Sequence, residues 1–306
     1  MPDTPREPGR REAGRRAREA KQAAKKAKQV VERRAREATE HSGSSWVERL
    51  ARFGYATKGV VYAIVGGLAL AVAIGAGGRT TDPHGALEAI GAQPFGVLLL
   101  ILVAVGLVGY ALWRLFQAVA DPDKEGRDVK GLAKRVGHGI AALIYLGLAF
   151  SAGQLAVAAG GGGGSPQDWT AWLLSQPFGQ VVVVGVGVAV VLYGVFQLYQ
   201  AYKAQFREYL KLNEMSAREE TWITRGGRLG YAARGVVFGI IGVFLMQAAL
   251  RSDPSQATGL GGALKELLQQ PFGPWILGTV AFGLVAYGLF MASLARYRRI
   301  ARVTVV

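Results

Sequence analysis

The chain of 306 residues contains no cysteine and only three histidines, His41, His84 and His138. Without cysteine it can form no disulfide, no thiolate zinc site and no iron–sulfur cluster, and it lacks a cysteine nucleophile. The three histidines are too scattered along the chain to suggest a metal cluster. We therefore expect neither a metal site nor a cofactor.

Charge is almost absent from six stretches of the chain, although the formal net charge is +15. These stretches cover residues 59–78, 95–113, 137–159, 178–199, 235–250 and 272–295. About 20 helical residues cross a hydrocarbon core, and lipid requires each span to satisfy its own backbone. The strands of a membrane barrel would be shorter and polar on one face. The sequence therefore predicts an all-α membrane protein with six transmembrane helices.

Basic residues alternate between the two sides of these spans. Residues 1–52, 119–135, 201–228 and 296–306 hold 30 Lys and Arg, whereas the three other loops hold 3. This excess predicts that both termini lie in the cytoplasm. The remaining Lys58, Arg114 and Arg234 are interpreted as lying at span ends on the basic side, with Arg234 reaching the headgroups. On this interpretation the middle of the membrane holds no ionisable group.

Two motifs each occur three times. The first opens the odd-numbered spans, as Arg52, Gly54 and Tyr55, then Arg135, Gly137 and His138, then Arg228, Gly230 and Tyr231. The second is Gln93, Pro94, Phe95 and Gly96, then Gln176, Pro177, Phe178 and Gly179, then Gln270, Pro271, Phe272 and Gly273. The second motif follows the arginine of the first after 41, 41 and 42 residues. This constant spacing indicates internal duplication.

We therefore predict three tandem two-helix repeats, at 46–120, 121–205 and 206–300, around a pseudo-threefold axis and between tails at 1–45 and 301–306. Each repeat would be a transmembrane hairpin in which a short amphipathic segment on the outer interface precedes Gln-Pro-Phe-Gly. The prolines are expected in the first turn of the second helix, where no backbone donor is needed.

Aromatic residues repeat in the same register. Tyr62, Tyr145 and Phe238 follow the three arginines by 10 residues, and Tyr110, Tyr193 and Tyr287 follow the three glutamines by 17. A hydrated vestibule lined by the tyrosines would indicate transport, whereas a bundle closed by aliphatic side chains would indicate a structural role.

The three repeated arginines have two interpretations. They anchor the protein by reaching lipid headgroups, or they form a cytoplasmic ring that binds an anion or an acidic lipid. Tyr55 and Tyr231 are interpreted as interfacial aromatic residues, and His138 as a polar residue at the same level. The many span glycines predict close helix packing within one chain.

In these motifs and in its three two-helix repeats, the segment from about 48 to 300 resembles the bacterial membrane proteins classed as domain of unknown function 1206. The resemblance implies a six-helix inner-membrane protein and supplies no activity. The second repeat departs from the pattern, because it has His138 for tyrosine and Ala142 where the others have Gly59 and Gly235.

The first 49 residues form a polar tail with 14 basic and 8 acidic residues. The alanine-rich part, 10–39, has heptad spacing and is interpreted as a marginal solvated helix, with attraction to anionic lipid or a weak coiled coil as alternatives. Nucleic-acid binding is disfavoured because the tail has no base-stacking aromatic residues. The five glycines at 160–164 are interpreted as a slack linker.

No nucleophile–base pair and no phosphate-binding loop is visible in the sequence, so we expect no enzyme. The leading expectation is a structural bundle, or one that interacts with lipid or a partner protein. The alternative is a small-solute facilitator or pore. The sequence is compatible with a homo-oligomer but does not indicate one.

Overall fold

The computed structural model describes residues 48–123, 125–126, 128–157 and 166–298, so the predictions for the two tails and for the five glycines lie outside the described residues. Within these ranges the helices are α1 (Glu48–Ala73), α2 (Pro83–Gly91), α3 (Gly96–Ala120), α4 (Val129–Ala156), α5 (Pro166–Leu174), α6 (Gly179–Lys203), α7 (Ala217–Leu250), α8 (Leu260–Gln269) and α9 (Gly273–Tyr297). Short 3-10 segments occupy Gln205–Tyr209, Leu212–Glu214 and Pro254–Gln256.

Six of these helices, α1, α3, α4, α6, α7 and α9, are long and apolar enough to cross a membrane. The described ranges contain no strand, and their β-pairing is limited to an isolated bridge between Leu210 and Arg298. The prediction of an all-α fold with six candidate spans is therefore confirmed. The predicted short segments before Gln-Pro-Phe-Gly are the helices α2, α5 and α8.

The long helices extend well past the charge-free stretches. Ser216 begins α7 with a capping box, in which its Oγ accepts the amide of Glu219 and the Glu219 carboxylate accepts the amide of Ser216. The helix then runs for 34 residues to Leu250, about 51 Å at 1.5 Å per residue. Arg234 consequently lies near the middle of α7 rather than at the end of a span.

Each Gln-Pro-Phe-Gly segment is a tight turn before α3, α6 or α9. The glycine amide donates to the glutamine carbonyl, at 2.8, 2.9 and 2.7 Å in chain order. The phenylalanines have φ of 62°, 61° and 61°, the left-handed value required at the third position of a type II turn. The helices begin at the glycines, so the placement of Pro94, Pro177 and Pro271 inside the first helical turn was wrong. Proline instead occupies the second turn position, which its fixed φ suits.

The long helices pack in the order α4, α3, α1, α9, α7, α6. The pairs α3–α4, α6–α7 and α7–α9 make extensive contact. Small residues let α1 join α9: a Cβ added to Gly59 would lie 2.6 Å from the carbonyl oxygen of Gly288, and the reverse distance is also 2.6 Å. Gly54 brings α1 equally close to α3, because a Cβ there would lie 2.7 Å from the Cα of Tyr110.

Contacts between successive repeats follow a threefold pattern. The tyrosine of each second helix meets the aromatic residue of the next repeat edge to face, with ring centroids 4.7 Å apart for Tyr110–Tyr145, 5.1 Å for Tyr193–Phe238 and 4.9 Å for Tyr287–Tyr62. The last pair joins the third repeat to the first. The three interfaces between repeats are thus all formed.

Contacts inside the repeats do not follow this pattern. Gly54 packs on Tyr110 in the first repeat and Gly230 packs on Tyr287 in the third. In the second repeat nothing lies within 4 Å of a Cβ added to Gly137, and Tyr193 is 43% exposed. Helices α4 and α6 make no extensive contact with each other, so the expected hairpin is not closely packed in the second repeat. We call this gap the α4–α6 opening.

Candidate functional site

The ammonium group of Lys58 lies among four tyrosine rings inside the bundle. Its Nζ is 4.6 to 5.8 Å from the ring centroids of Tyr110, Tyr145, Tyr287 and Tyr62. It donates a hydrogen bond of 2.9 Å to the hydroxyl of Tyr110, and the side chain is only 3% exposed. The aromatic faces supply cation–π attraction but no counter-charge.

Arg234 shares two of these rings with Lys58. Its Cζ lies 4.4 Å from the ring centroid of Tyr287 and 5.3 Å from that of Tyr62. Nη1 donates to the Tyr287 hydroxyl at 2.5 Å, while Nε is buried and has no hydrogen-bond partner among the described residues. The residue is 6% exposed. The prediction that Arg234 reaches the headgroups was therefore wrong, because α7 continues past it and the tyrosines enclose it.

Arg114 adds a third cation, partly buried on α3. Its Nε and Nη2 donate to the hydroxyl of Tyr110 at 2.8 and 2.6 Å. Its Nη1 donates to Gln117 at 3.2 Å and lies 2.9 Å from Nδ1 of His138. The Tyr110 hydroxyl therefore accepts from both Lys58 and Arg114, which links the two cations.

We call Lys58, Arg114, Arg234 and the surrounding tyrosines the central cluster. Among the described residues, no aspartate or glutamate forms a hydrogen bond or ion pair with its three cations. Lys58, Arg114 and Arg234 were predicted to lie at span ends. They lie instead inside helices that continue past the apolar stretches, and Lys58 and Arg234 are buried. Lone charges in such an interior are costly, and they mark functional sites in membrane proteins.

A paired layer lies next to the central cluster. The ring of Tyr55 meets Tyr110 at 5.1 Å, and Arg298 lies 5.2 Å from the Tyr55 ring centroid on its way to an ion pair with Asp123 of 3.1 Å. Tyr209 donates to Glu125 at 2.9 Å, and burial together with this carboxylate raises the pKa of Tyr209. Carboxylates are therefore present near the central cluster, but Asp123 and Glu125 are bonded to Arg298 and Tyr209.

Two of the repeated arginines tie one repeat to the next. Nη1 of Arg52 donates to the carbonyls of Ala295 and Arg296 in the last turn of α9, both at 2.6 Å. Arg135 donates to the carbonyls of Ala118 and Val119 in the last turn of α3, at 2.8 and 2.9 Å. Both side chains satisfy helix C-terminal carbonyls, which lack intrahelical donors.

Arg228 breaks the pattern. By the repeat register its acceptors would be the carbonyls of Ala201 and Tyr202 in the last turn of α6. Arg228 is exposed and makes no hydrogen bond or ion pair with any residue in the described ranges. Arg52 and Arg135 therefore share a carbonyl-binding role that Arg228 does not have.

The two tyrosines of the first motif are packing residues. Tyr55 is fully buried, and Tyr231 is partly buried and stacked on Phe206 with centroids 5.3 Å apart. The interpretation of Tyr55 and Tyr231 as interfacial aromatic residues was therefore wrong, because both rings pack inside the bundle. His138 lies partly buried beside Arg114.

The Gln-Pro-Phe-Gly residues lie at the opposite end of the helices from the repeated arginines, and do not contribute to the central cluster. Phe95, Phe178 and Phe272 are 82%, 83% and 80% exposed. The part of the chain that the structure describes contains no group of three or more His, Asp or Glu side chains that could hold a metal ion.

The central cluster was not predicted from the sequence, although the repeats carry a signal for it. Lys58 and Arg234 both follow the repeated arginine by six residues, whereas Ala141 takes this position in the second repeat. Two cations at equivalent positions of packed repeats are expected to face the same interior.

Comparison with known proteins gives a family but no activity. The family model described as Domain of Unknown Function (DUF1206) matches residues 53–121, 136–204 and 229–298. A protein of Bacillus subtilis (strain 168) named "Uncharacterized protein YxxB" is 36% identical over 245 residues, which cover 80% of this chain and 89% of that protein. No solved structure matches the chain.

Proposed function

The chain belongs to the DUF1206 family of proteins, and on that premise we propose that it is an integral membrane protein that binds an anion at the central cluster and catalyses no reaction. The single observation that carries this proposal is that Lys58, Arg114 and Arg234 lie around shared tyrosines with no carboxylate partner in the described ranges. The proposal replaces a purely structural role by a binding role.

An anion would supply the negative charge that balances the three cations of the central cluster. Lys58 and Arg234 each lie within 6 Å of the Tyr287 ring centroid, so the two charges are within about 12 Å of each other in an apolar interior, where repulsion is poorly screened. The unpartnered Nε of Arg234 is a free donor. Arginine forks and tyrosine hydroxyls suit carboxylate or phosphate oxygens.

We place the protein in the bacterial cytoplasmic membrane, with the repeated arginines at the cytoplasmic side, because of the distribution of Lys and Arg. Tyr110, Tyr193 and Tyr287 each lie 14 residues after the start of their helix, about 21 Å along it. The central cluster would then lie inside a hydrocarbon core of about 30 Å, nearer its cytoplasmic face.

Movement of the anion through the bundle is a second candidate function, and the α4–α6 opening favours it. Tyr145 and Tyr193, which border the cluster region on α4 and α6, are not closed off by packing between these helices. Tyr145 lies against the central cluster, 4.8 Å from Nζ of Lys58, and Tyr193 is 43% exposed on α6.

Binding can be tested by thermal unfolding of the purified protein in detergent, with sodium phosphate or sodium acetate against sodium chloride at equal ionic strength. Ligand that binds the folded state alone raises the unfolding temperature as its concentration passes Kd. We expect one of the two anions to stabilise the wild type, and not the Lys58→Met/Arg234→Met variant. The matched control is Lys130→Met/Arg218→Met, which removes the same charge from exposed positions.

Equal stabilisation of all three proteins, or of none, would contradict anion binding at the central cluster. Efflux of the same anion from proteoliposomes separates the two candidates. Binding without efflux supports a binding protein, and efflux that is lost in Lys58→Met/Arg234→Met supports a facilitator.

A further inference from the structure

A groove of about 800 Å³ lies between α6 and α7 at the end of the bundle that carries the repeated arginines. Its lining includes the basic residues Lys203, Arg225 and Arg228 and the apolar residues Leu229 and Ala232. All three basic side chains are exposed, and none forms a hydrogen bond or ion pair with the described residues. The lining of the groove therefore combines three basic side chains that have no hydrogen bond or ion pair with the described residues and several apolar side chains.

This groove is the third copy of an interface that is filled elsewhere. At the other two interfaces between repeats, Arg52 and Arg135 occupy the equivalent position and donate to helix carbonyls. Here the corresponding carbonyls belong to Ala201 and Tyr202, which line the groove, and Arg228 does not bind them. In the third repeat, Arg228 therefore lines an open, positively charged groove, whereas its counterparts are hydrogen-bonded to helix carbonyls.

Neighbouring residues fit the headgroup level of a membrane. Tyr202 is 76% exposed beside the groove, and Lys203 lies 5.4 Å from its ring centroid. Tyrosine and lysine at the end of a span are typical of the membrane–water interface. Exposed apolar side chains of α6 continue from the groove to the middle of the helix, where Leu192 is 62% exposed.

We propose that this groove binds the headgroup of an anionic phospholipid, with the phosphate near Lys203, Arg225 and Arg228 and an acyl chain along α6. Charge complementarity carries the choice of ligand, since the groove is lined by three cations and no acid. Basic pockets between spans on the cytoplasmic side are suited to such headgroups. The inference is independent of the central cluster.

Native mass spectrometry of the full chain in detergent, titrated with phosphatidylglycerol or phosphatidylcholine, tests the proposal. We expect the first phosphatidylglycerol to bind more tightly than phosphatidylcholine. Each basic residue near anionic lipid contributes about fivefold in affinity. The double variant Arg225→Gln/Arg228→Gln is therefore expected to weaken the affinity for the first phosphatidylglycerol about 30-fold. The control Lys130→Gln/Arg218→Gln removes two exposed charges from the same end of the bundle, and should change it less than about threefold.

Equal weakening in the groove variant and the control would overturn the proposal, because it would show attraction to net charge alone. Binding of inorganic phosphate as tight as that of phosphatidylglycerol would also overturn it, since the acyl chain would then contribute nothing. Retained lipid affinity in Lys58→Met/Arg234→Met is expected, and its loss would assign the lipid to the central cluster instead. A thermal unfolding curve of each variant confirms that it is folded.

Discussion

Replacing Arg135 by methionine removes the two hydrogen bonds that join α4 to the last turn of α3. The donor is charged and both acceptors are carbonyls that the helix leaves without a partner, at 2.8 and 2.9 Å. Methionine keeps most of the apolar stem, so the change mainly removes the guanidinium. The same substitution at Arg228 removes no such bond, which makes it a control of the same residue type in the same motif.

The two bonds set the expected loss of stability. A hydrogen bond from a charged group contributes about 1.5 to 3 kcal/mol when buried, and less when exposed. The bond to Val119 is exposed and the bond to Ala118 is partly buried, so we assign about 1 kcal/mol to each, including the favourable helix-terminal field. Arg135→Met should therefore lower the free energy of unfolding by about 2 kcal/mol, and Arg228→Met by less than about 0.5 kcal/mol.

Reversible unfolding in mixed micelles with increasing SDS measures both variants against the wild type. Equal losses at the two positions would refute the assignment of a carbonyl-binding role to Arg135 and not to Arg228. No loss at either position would return both residues to the role of headgroup anchors. Arg135→Lys should recover only part of the loss, because an ammonium does not reproduce the two directed bonds.

Further predictions use the same unfolding assay unless stated. Gly288→Ala should lose about 2 kcal/mol because its Cβ would lie 2.6 Å from the Gly59 carbonyl oxygen, whereas Gly147→Ala, with nothing within 4 Å, should gain up to about 1 kcal/mol from helix propensity; equal effects would contradict the α1–α9 packing. Lys58→Met should leave the anion-free protein as stable as the wild type or more so, because an uncompensated charge is removed; a loss of several kcal/mol would show that the tyrosines alone satisfy it. Asp121 accepts the amides of Glu125 and Gly126, which lowers the pKa of Asp121. Its stabilisation is therefore present above the unfolded pKa of about 3.9 and is lost as the pH falls through the lower folded pKa. Asp121→Asn should thus weaken hydrogen-exchange protection of these two amides at pH 7 and match the wild type in strong acid; a constant difference at all pH values would argue against ionisation as the cause.

The helix content and the repeats could be read from the sequence because both follow from local rules. A hydrocarbon core sets the length of a span, and its backbone must bond within the helix. The triplicated Gln-Pro-Phe-Gly could be recognised by spacing alone. The turn type could have been recognised too, since proline and then glycine around one residue favour a β-turn.

The central cluster could not be predicted from hydropathy, because hydropathy marks the ends of the charge-free stretches and not the ends of the helices. Lys58, Arg114 and Arg234 flank apolar stretches in sequence, and that pattern is also typical of headgroup anchors. Their burial depends on helices that continue for several turns and on tyrosines from neighbouring repeats. Only the distance of 4.4 Å between Arg234 and the Tyr287 ring shows that this cation turns inward.

The sequence by itself determined the number of candidate spans, their grouping in three repeats, and the alternation of basic loops, because each of these depends on composition and spacing along the chain. The tertiary structure alone decided that α4 and α6 separate, that Arg52 and Arg135 bind carbonyls while Arg228 remains open, and that three cations meet at the centre. Copies of one motif begin with the same chemistry, but each side chain's partners are set by the helix packed beside it. Because the second repeat packs outward on α3 and α7 rather than on itself, equivalent residues were given different surroundings.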